Sequence, residues 1–168
     1  MTLLRPYRVA YEHPTQSEAA AFLRALADGD LEAIWTRLSR ESRGLLEGRY
    51  AAGAGIPLHH AAAVGTDLGD ARLLGVAGPL RDAALATVGG PARLLAFGVS
   101  AARLVDRSTA FVLLLPDFGE VRIVREEEWR PAHLLAFVHE SRDWLVDLGR
   151  TAALSADAGL PDPLGAVH

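Results

Sequence analysis

The sequence predicts an α+β fold, in which N-terminal helices pack on a strongly curved antiparallel sheet. Apolar residues recur at helical spacing in the first third of the chain, whereas residues after Pro91 alternate or run apolar over strand lengths. The turns between these later segments are short, which favours antiparallel pairing. We therefore expect one domain over residues 1–150 and a C-terminal tail over residues 151–168, either loose or laid along the body.

Capping and stop signals mark the N-terminal helices. Thr15, followed three residues later by Glu18, predicts a capping box at the start of the first helix. Gly29 supplies a left-handed stop beside Asp28, and Asp30 can cap the next helix. The sequence therefore predicts two helices that meet at a tight corner. Each carries an apolar stripe suited to covering a sheet.

The middle of the chain, from Tyr50 to Gly90, has weaker signals. Pro57 and Pro79 each suit the first turn of a short helix. Strand patterns begin after that region. The predicted strand segments are a long, bent one over 95–105 and shorter ones over 109–115, 121–123, 132–138 and 144–148.

Two of these strands, 109–115 and 132–138, are apolar on both faces, although a sheet open to water on one side should alternate. Something must therefore cover the second face. Our first interpretation is a homodimer through the sheet, and the alternative is coverage by the C-terminal tail. The expected interface residues are Phe111, Leu113, Leu135 and Phe137.

Composition and charge argue against several functional classes. The 168 residues include no cysteine, which excludes disulfide frameworks, thiolate metal sites and a cysteine nucleophile. The net charge of −4 and the scattered basic residues argue against nucleic acid as a partner. No apolar run has the length of a membrane-spanning helix, and the first residues do not form a secretory signal. We expect a cytoplasmic protein that does not enter membranes.

Two stretches resemble a known superfamily. One is EAAAFLRALADGDLEAIWTRLSRESRGLL from Glu18, with its corner at Gly29, and the other is HLLAFVHESRDWLVDLG from His133. They resemble the nuclear transport factor 2-like superfamily, also called the cystatin-like α+β cone, over roughly residues 16–149. Residues 50–90 are longer and more helical than the minimal cone.

The resemblance implies a conical pocket between sheet and helices, and frequent dimerisation through the sheet. The superfamily includes isomerases, dehydratases, epoxide hydrolases, polyketide cyclases and many members without catalysis, so fold does not decide function. The candidate pocket-lining residues are Phe22, Trp35, His59 and Trp144.

The commonest local signatures of catalysis are missing. The run from Gly53 to Gly55 begins like a dinucleotide fingerprint, but Leu58 occupies the place of its third glycine. His133 and His139 lie about 20 Å apart if they share one strand, too far to share a metal. We expect neither a cofactor nor a metal.

A dispersed catalytic site would use His60 or Asp67 as general base, because imidazole titrates near neutrality and a carboxylate can orient it. Tyr50 would donate a hydrogen bond to a substrate carbonyl. The alternative is that these residues have no catalytic role and are ordinary surface or packing residues.

The first functional hypothesis is thus a non-catalytic domain that binds a small apolar molecule or a protein. The second is a cofactor-free isomerase, dehydratase or hydrolase, and the third is an interaction module with a filled core.

Overall fold

Helices cover both faces of a seven-stranded sheet in the computed structural model, which describes residues 7–62, 72–125 and 130–165. The helices are α1 (Pro14–Asp28), α2 (Leu31–Thr36), α3 (Arg40–Ala54), α4 (Leu58–Ala62), α5 (Leu73–Val88), α6 (Pro91–Leu94) and α7 (Leu148–Ala158). The strands are β1 (Arg8–Ala10), β2 (Gly98–Val99), β3 (Ala102–Leu104), β4 (Thr109–Leu115), β5 (Arg122–Ile123), β6 (His133–Glu140) and β7 (Asp143–Val146). The predicted α+β class is confirmed. Among the described helices, none combines the length and apolar character needed to cross a membrane.

The start of α1 differs from its prediction. His13 caps the helix, and its backbone N–H donates to the side chain of Gln16 at 3.0 Å, so the capping box joins these two residues. The predicted box of Thr15 and Glu18 is wrong. Pro14, which lacks an N–H and has a helix-compatible φ, occupies the first helical position and so moves the cap upstream.

The corner between α1 and α2 follows its prediction. Gly29 ends α1 at φ 71°, a left-handed conformation that glycine adopts without steric cost. Asp30 then caps α2 by accepting a hydrogen bond from the Ala33 N–H at 3.0 Å. The second helix ends early, and α3 begins separately after Ser39.

The middle region departs from its prediction in two places. Pro79 lies inside α5 and not in its first turn, because the burial of residues on both sides of it keeps the helix continuous. The predicted strand over 95–105 is divided into β2 and β3 at Ser100. The Ser100 hydroxyl accepts a hydrogen bond from the Leu113 N–H at 2.8 Å, which replaces a backbone acceptor at the break.

The sheet is built around β4, which pairs with β6 on one side and with β2 and β3 on the other. β1 extends the sheet beyond β3, and β7 extends it beyond β6. These pairs are antiparallel, as predicted, whereas the short pair β2–β5 is parallel. The sheet does not close into a barrel.

The inner face of the sheet is filled by the main core. Phe22 of α1 and Trp35 of α2 are 0% and 1% exposed, and they belong to the same buried cluster as Leu135 and Phe137 of β6. Side chains of α5 complete this cluster. The space where a cone pocket was expected is thus occupied by large side chains at Phe22 and Trp35.

The outer face is covered by the C-terminal segment, which forms α7 and does not hang loose. Phe111 and Leu113 belong to a second buried cluster with Ala158, against which Leu154 and Leu160 pack. The Thr151 hydroxyl of α7 also accepts a hydrogen bond from the backbone N–H of Ala136 in β6 at 3.0 Å. The C-terminal tail therefore covers this face, which is the alternative that the sequence offered to a dimer.

The residues expected at a dimer interface need correction for the same reason. Phe111 and Leu113 lie beneath the C-terminal segment, whereas Leu135 and Phe137 point into the main core. All four are at most 6% exposed in the single chain. Their burial needs no second subunit.

Candidate functional site

A surface cleft of about 480 Å³ lies between α3 and α5. Among the residues that the structure describes, its lining is aliphatic except for two polar side chains, those of Arg49 and Tyr50. The other lining residues are Leu46, Gly53, Ala54, Gly75, Val76, Pro79, Leu80 and Ala83. A concave, mostly apolar surface with a few polar groups is typical of small-molecule sites.

The Tyr50 ring is positioned by a glycine on the opposite helix. A Cβ atom built on Gly75 would lie 2.7 Å from Cε2 of Tyr50, closer than real Cβ contacts. Gly75 therefore lets the ring lie directly against the backbone of α5. The tyrosine is half-buried and packs on the main core, which holds its ring in the cleft.

Pro79 changes the hydrogen bonding of α5 at the same place. A helical carbonyl normally accepts from the N–H four residues later, and proline has no N–H. The carbonyl oxygen of Gly75 therefore lacks its usual helical donor. Gly75 and Pro79 both line the cleft, so the interrupted helical hydrogen bond lies in this wall.

Arg49 provides the positive charge of the cleft. It is exposed, and within the described part of the chain no carboxylate lies within ion-pair distance of it. On the same helix, burial raises the pKa of Glu47, and the positive charge of Arg43 partly offsets this effect. The arrangement suits a ligand with an apolar body and an anionic group.

The predicted catalytic residues are not brought together by the described residues. His59 and His60 lie on α4, both exposed, with their ring centroids 4.2 Å apart. Neither histidine lines the cleft that contains Tyr50. Asp67 lies outside the described residues.

The predicted pocket residues are also dispersed. Phe22 and Trp35 lie in the main core, and His59 lies exposed on α4. Trp144 lines a different cleft, of about 450 Å³, beside α1. These four side chains therefore do not share one pocket.

Around Trp144 the structure places two histidines that contact the indole from different elements. The ring centroids of His13 and His139 lie 4.9 Å and 5.1 Å from that of Trp144. Burial lowers the pKa of His13, and the charge of His139 lowers it further. This histidine pair is not accompanied by a third ligand, since no cluster of three or more potential metal ligands occurs in residues 7–62, 72–125 and 130–165.

Sequence reasoning missed Arg49, Gly75 and Pro79 as cleft residues. A usable signal existed in α5, where two glycines and a proline interrupt an apolar helix at Gly75, Gly78 and Pro79. Such breaks often mark a close approach of another group to the backbone. Arg49 carries no comparable signal, because a single arginine on an exposed helix face is common.

Comparisons of the chain with protein-family models, with curated proteins and with solved structures give no match.

Proposed function

We propose that this protein binds, without catalysis, a small molecule with an apolar body and an anionic head in the cleft between α3 and α5. The observation that carries the proposal is the composition of the described lining, in which one arginine without an ion pair in that part of the chain and one phenol stand among aliphatic groups. The aliphatic walls favour an apolar chain through the hydrophobic effect. Arg49 then favours a carboxylate over an uncharged head group.

The proposal differs in one respect from what a cone fold implies. The interior between the sheet and helices holds Phe22 and Trp35, both buried, so the ligand would bind between helices outside it. We retain the likeness to the nuclear transport factor 2-like superfamily as a proposal about fold ancestry. The helical layer over a sheet and the early Gly29–Asp30 corner support it.

Isothermal titration calorimetry with decanoate tests the binding proposal. We expect saturable binding, and weaker binding of 1-decanol, which has the same chain and no charge. Arg49→Gln should reduce the preference for decanoate over 1-decanol. Gly75→Ala should weaken both ligands, because the new methyl group displaces the Tyr50 ring.

The matched control is Gly44→Ala. Gly44 also lies within a helix, α3, and no heavy atom lies within 4 Å of the Cβ that the substitution adds. It should bind decanoate like the native chain. For Gly75→Ala, we expect the ligand to lose the burial of about two of its methylene groups. That loss corresponds to about 1.6 kcal/mol, which raises Kd more than tenfold. Absence of decanoate binding, or equal binding by Gly75→Ala and Gly44→Ala, would contradict the proposal.

A further inference from the structure

A third cavity, of about 370 Å³, lies where β6 begins, and none of its described lining residues belongs to the cleft between α3 and α5. His133 lines it and is only 7% exposed. The other lining residues are Val88, Arg93, Ala96, Phe97, Pro116, Asp117 and Ala132. The cavity thus combines a buried imidazole, two charged side chains and apolar walls.

The hydrogen bonding of His133 defines its tautomer. Nδ1 lies 2.9 Å from the carbonyl oxygen of Pro161, and a carbonyl can only accept, so Nδ1 carries the hydrogen. In the neutral ring Nε2 is then an acceptor. The Phe97 ring holds the imidazole edge-on, with centroids 5.8 Å apart. Within the described residues, Nε2 has no hydrogen-bond partner, and although the residue as a whole is 7% exposed, this atom is not one of the fully buried ones.

Two exposed side chains of opposite charge stand at the same cavity. Among the described residues, neither Arg93 nor Asp117 forms an ion pair, with the other or with a third residue. The aliphatic stem of Arg93 lies against Gly89, where an added Cβ would come within 3.2 Å of its Cδ. Asp117 adopts φ 69°, a left-handed conformation that costs energy in residues other than glycine. The stem of Arg93 and the backbone of Asp117 are thus placed by local structure, without an ion pair among the described residues.

We propose that this cavity binds a small α-amino acid as its zwitterion. The carboxylate would pair with Arg93, and the ammonium group would pair with Asp117 and donate one N–H to Nε2 of His133. Phe97 and the small apolar residues beside it would contact the ligand side chain. This ligand class would pair with Nε2 of His133 and with both charged side chains, which form no ion pair among the described residues, whereas a simple anion or a simple amine would pair with only some of these groups.

Saturation-transfer NMR with the full-length protein tests the proposal, with each of the standard amino acids offered in turn at millimolar concentration. We expect binding by one or more of them. The corresponding 2-hydroxy acid, which lacks the ammonium group, and the corresponding amine, which lacks the carboxylate, should each bind about tenfold more weakly or worse. No binding by any amino acid, or equal binding by the hydroxy acid, would overturn the proposal.

Rim variants localise the site without disturbing the buried histidine. Arg93→Gln and Asp117→Asn should each weaken binding about tenfold, and asparagine tolerates the left-handed backbone at position 117. Arg107→Gln, at an exposed arginine that lines neither the cleft between α3 and α5 nor this cavity, is the matched control and should bind like the native chain. Unchanged binding in both rim variants would place the ligand elsewhere.

The imidazole itself is tested by two-dimensional NMR of the protein labelled with ¹⁵N-histidine, with the His133 signals assigned by their loss in His133→Gln. We expect Nε2 to show the chemical shift of an unprotonated nitrogen in the free protein and to move on addition of the bound amino acid. A protonated Nε2 in the neutral ring, or a signal that does not respond to the ligand, would overturn the assignment of His133.

Discussion

The Oγ atom of Ser39 donates a hydrogen bond to Oδ2 of Asp147 at 2.8 Å, across 108 positions of the sequence. Each of the two residues caps a helix: Ser39 accepts from the Ser42 N–H at the start of α3, and Asp147 accepts from the Arg150 N–H at the start of α7. This buried contact joins the helix that forms one wall of the cleft to the helix that covers the outer face of the sheet.

Replacing Asp147 with alanine should lower the free energy of unfolding by about 2–4 kcal/mol. The change removes the cap of α7 and a buried hydrogen bond of the Ser39 hydroxyl, which then has only Ser42 Oγ, at 2.8 Å, to donate to. Asp147→Asn keeps an acceptor oxygen and should lose clearly less. Urea denaturation of the two variants measures the difference. A loss below about 0.5 kcal/mol for the alanine variant, as at ordinary surface positions, would show that the contact contributes little.

Thr151 links α7 to the central strand β6, and Thr151→Val should therefore destabilise the protein by about 1–3 kcal/mol. Valine keeps the shape but removes the acceptor for the Ala136 N–H, which remains buried. Thr151→Ser retains the hydroxyl and serves as the control. The comparison again uses urea denaturation. Equal stability of the valine and serine variants would mean that α7 is held by its apolar contacts alone.

Two helical glycines should respond in opposite directions to alanine. Gly44 has no heavy atom within 4 Å of an added Cβ, so Gly44→Ala should raise the free energy of unfolding by about 0.5–1 kcal/mol through helix propensity. The Tyr50 ring would lie 2.7 Å from a Cβ on Gly75, so the same substitution there should lower the melting temperature below that of the native chain. Differential scanning calorimetry measures both variants. A higher melting temperature for Gly75→Ala than for Gly44→Ala would contradict the tight contact between α3 and α5.

Stability should fall as the pH is lowered through the range in which His13 titrates in the unfolded chain. Burial, and secondarily the charge of His139, lowers the pKa of His13 below its ordinary value of 6.5. Between that lowered pKa and 6.5, the unfolded chain binds more protons at this residue than the folded chain, so acid favours unfolding there. Below the lowered pKa this contribution levels off.

Variants of His13 and His139 separate the two causes of this pH dependence, which are the burial of His13 and the charge of His139. His13→Asn keeps a good helix cap and should remove this part of the pH dependence. His139→Gln removes the second charge and should make the dependence shallower. The free energy of unfolding, measured by urea titration at several pH values from about 8 to 5, gives the slopes. An unchanged slope in His13→Asn would mean that other groups cause the loss.

Local signals in the sequence were sufficient for the corner at Gly29 and Asp30, because a left-handed stop and a side-chain cap act within a few residues. They were also sufficient for the apolar strands β4 and β6, whose composition required burial of both faces. The sequence could not identify what covers the outer face. The buried positions of α7 follow helical spacing, but two of the four, Thr151 and Ser155, are polar, so no apolar stripe appears.

The candidate sites depend on pairs of residues that are distant in sequence. Tyr50 was selected from sequence, but its place in a cleft depends on Gly75, and neither His60 nor the core residue Trp35 joins it there. His133 was considered only as one of two distant metal ligands, whereas its hydrogen bond to Pro161 determines which nitrogen can accept. The sequence by itself determined the class of fold, the first helical corner and the apolar strands, because these follow from short-range backbone preferences and the need to bury apolar side chains. Only the tertiary structure decided the cover of the sheet, the clefts and the tautomer of the His133 imidazole, because these depend on which distant residues come into contact.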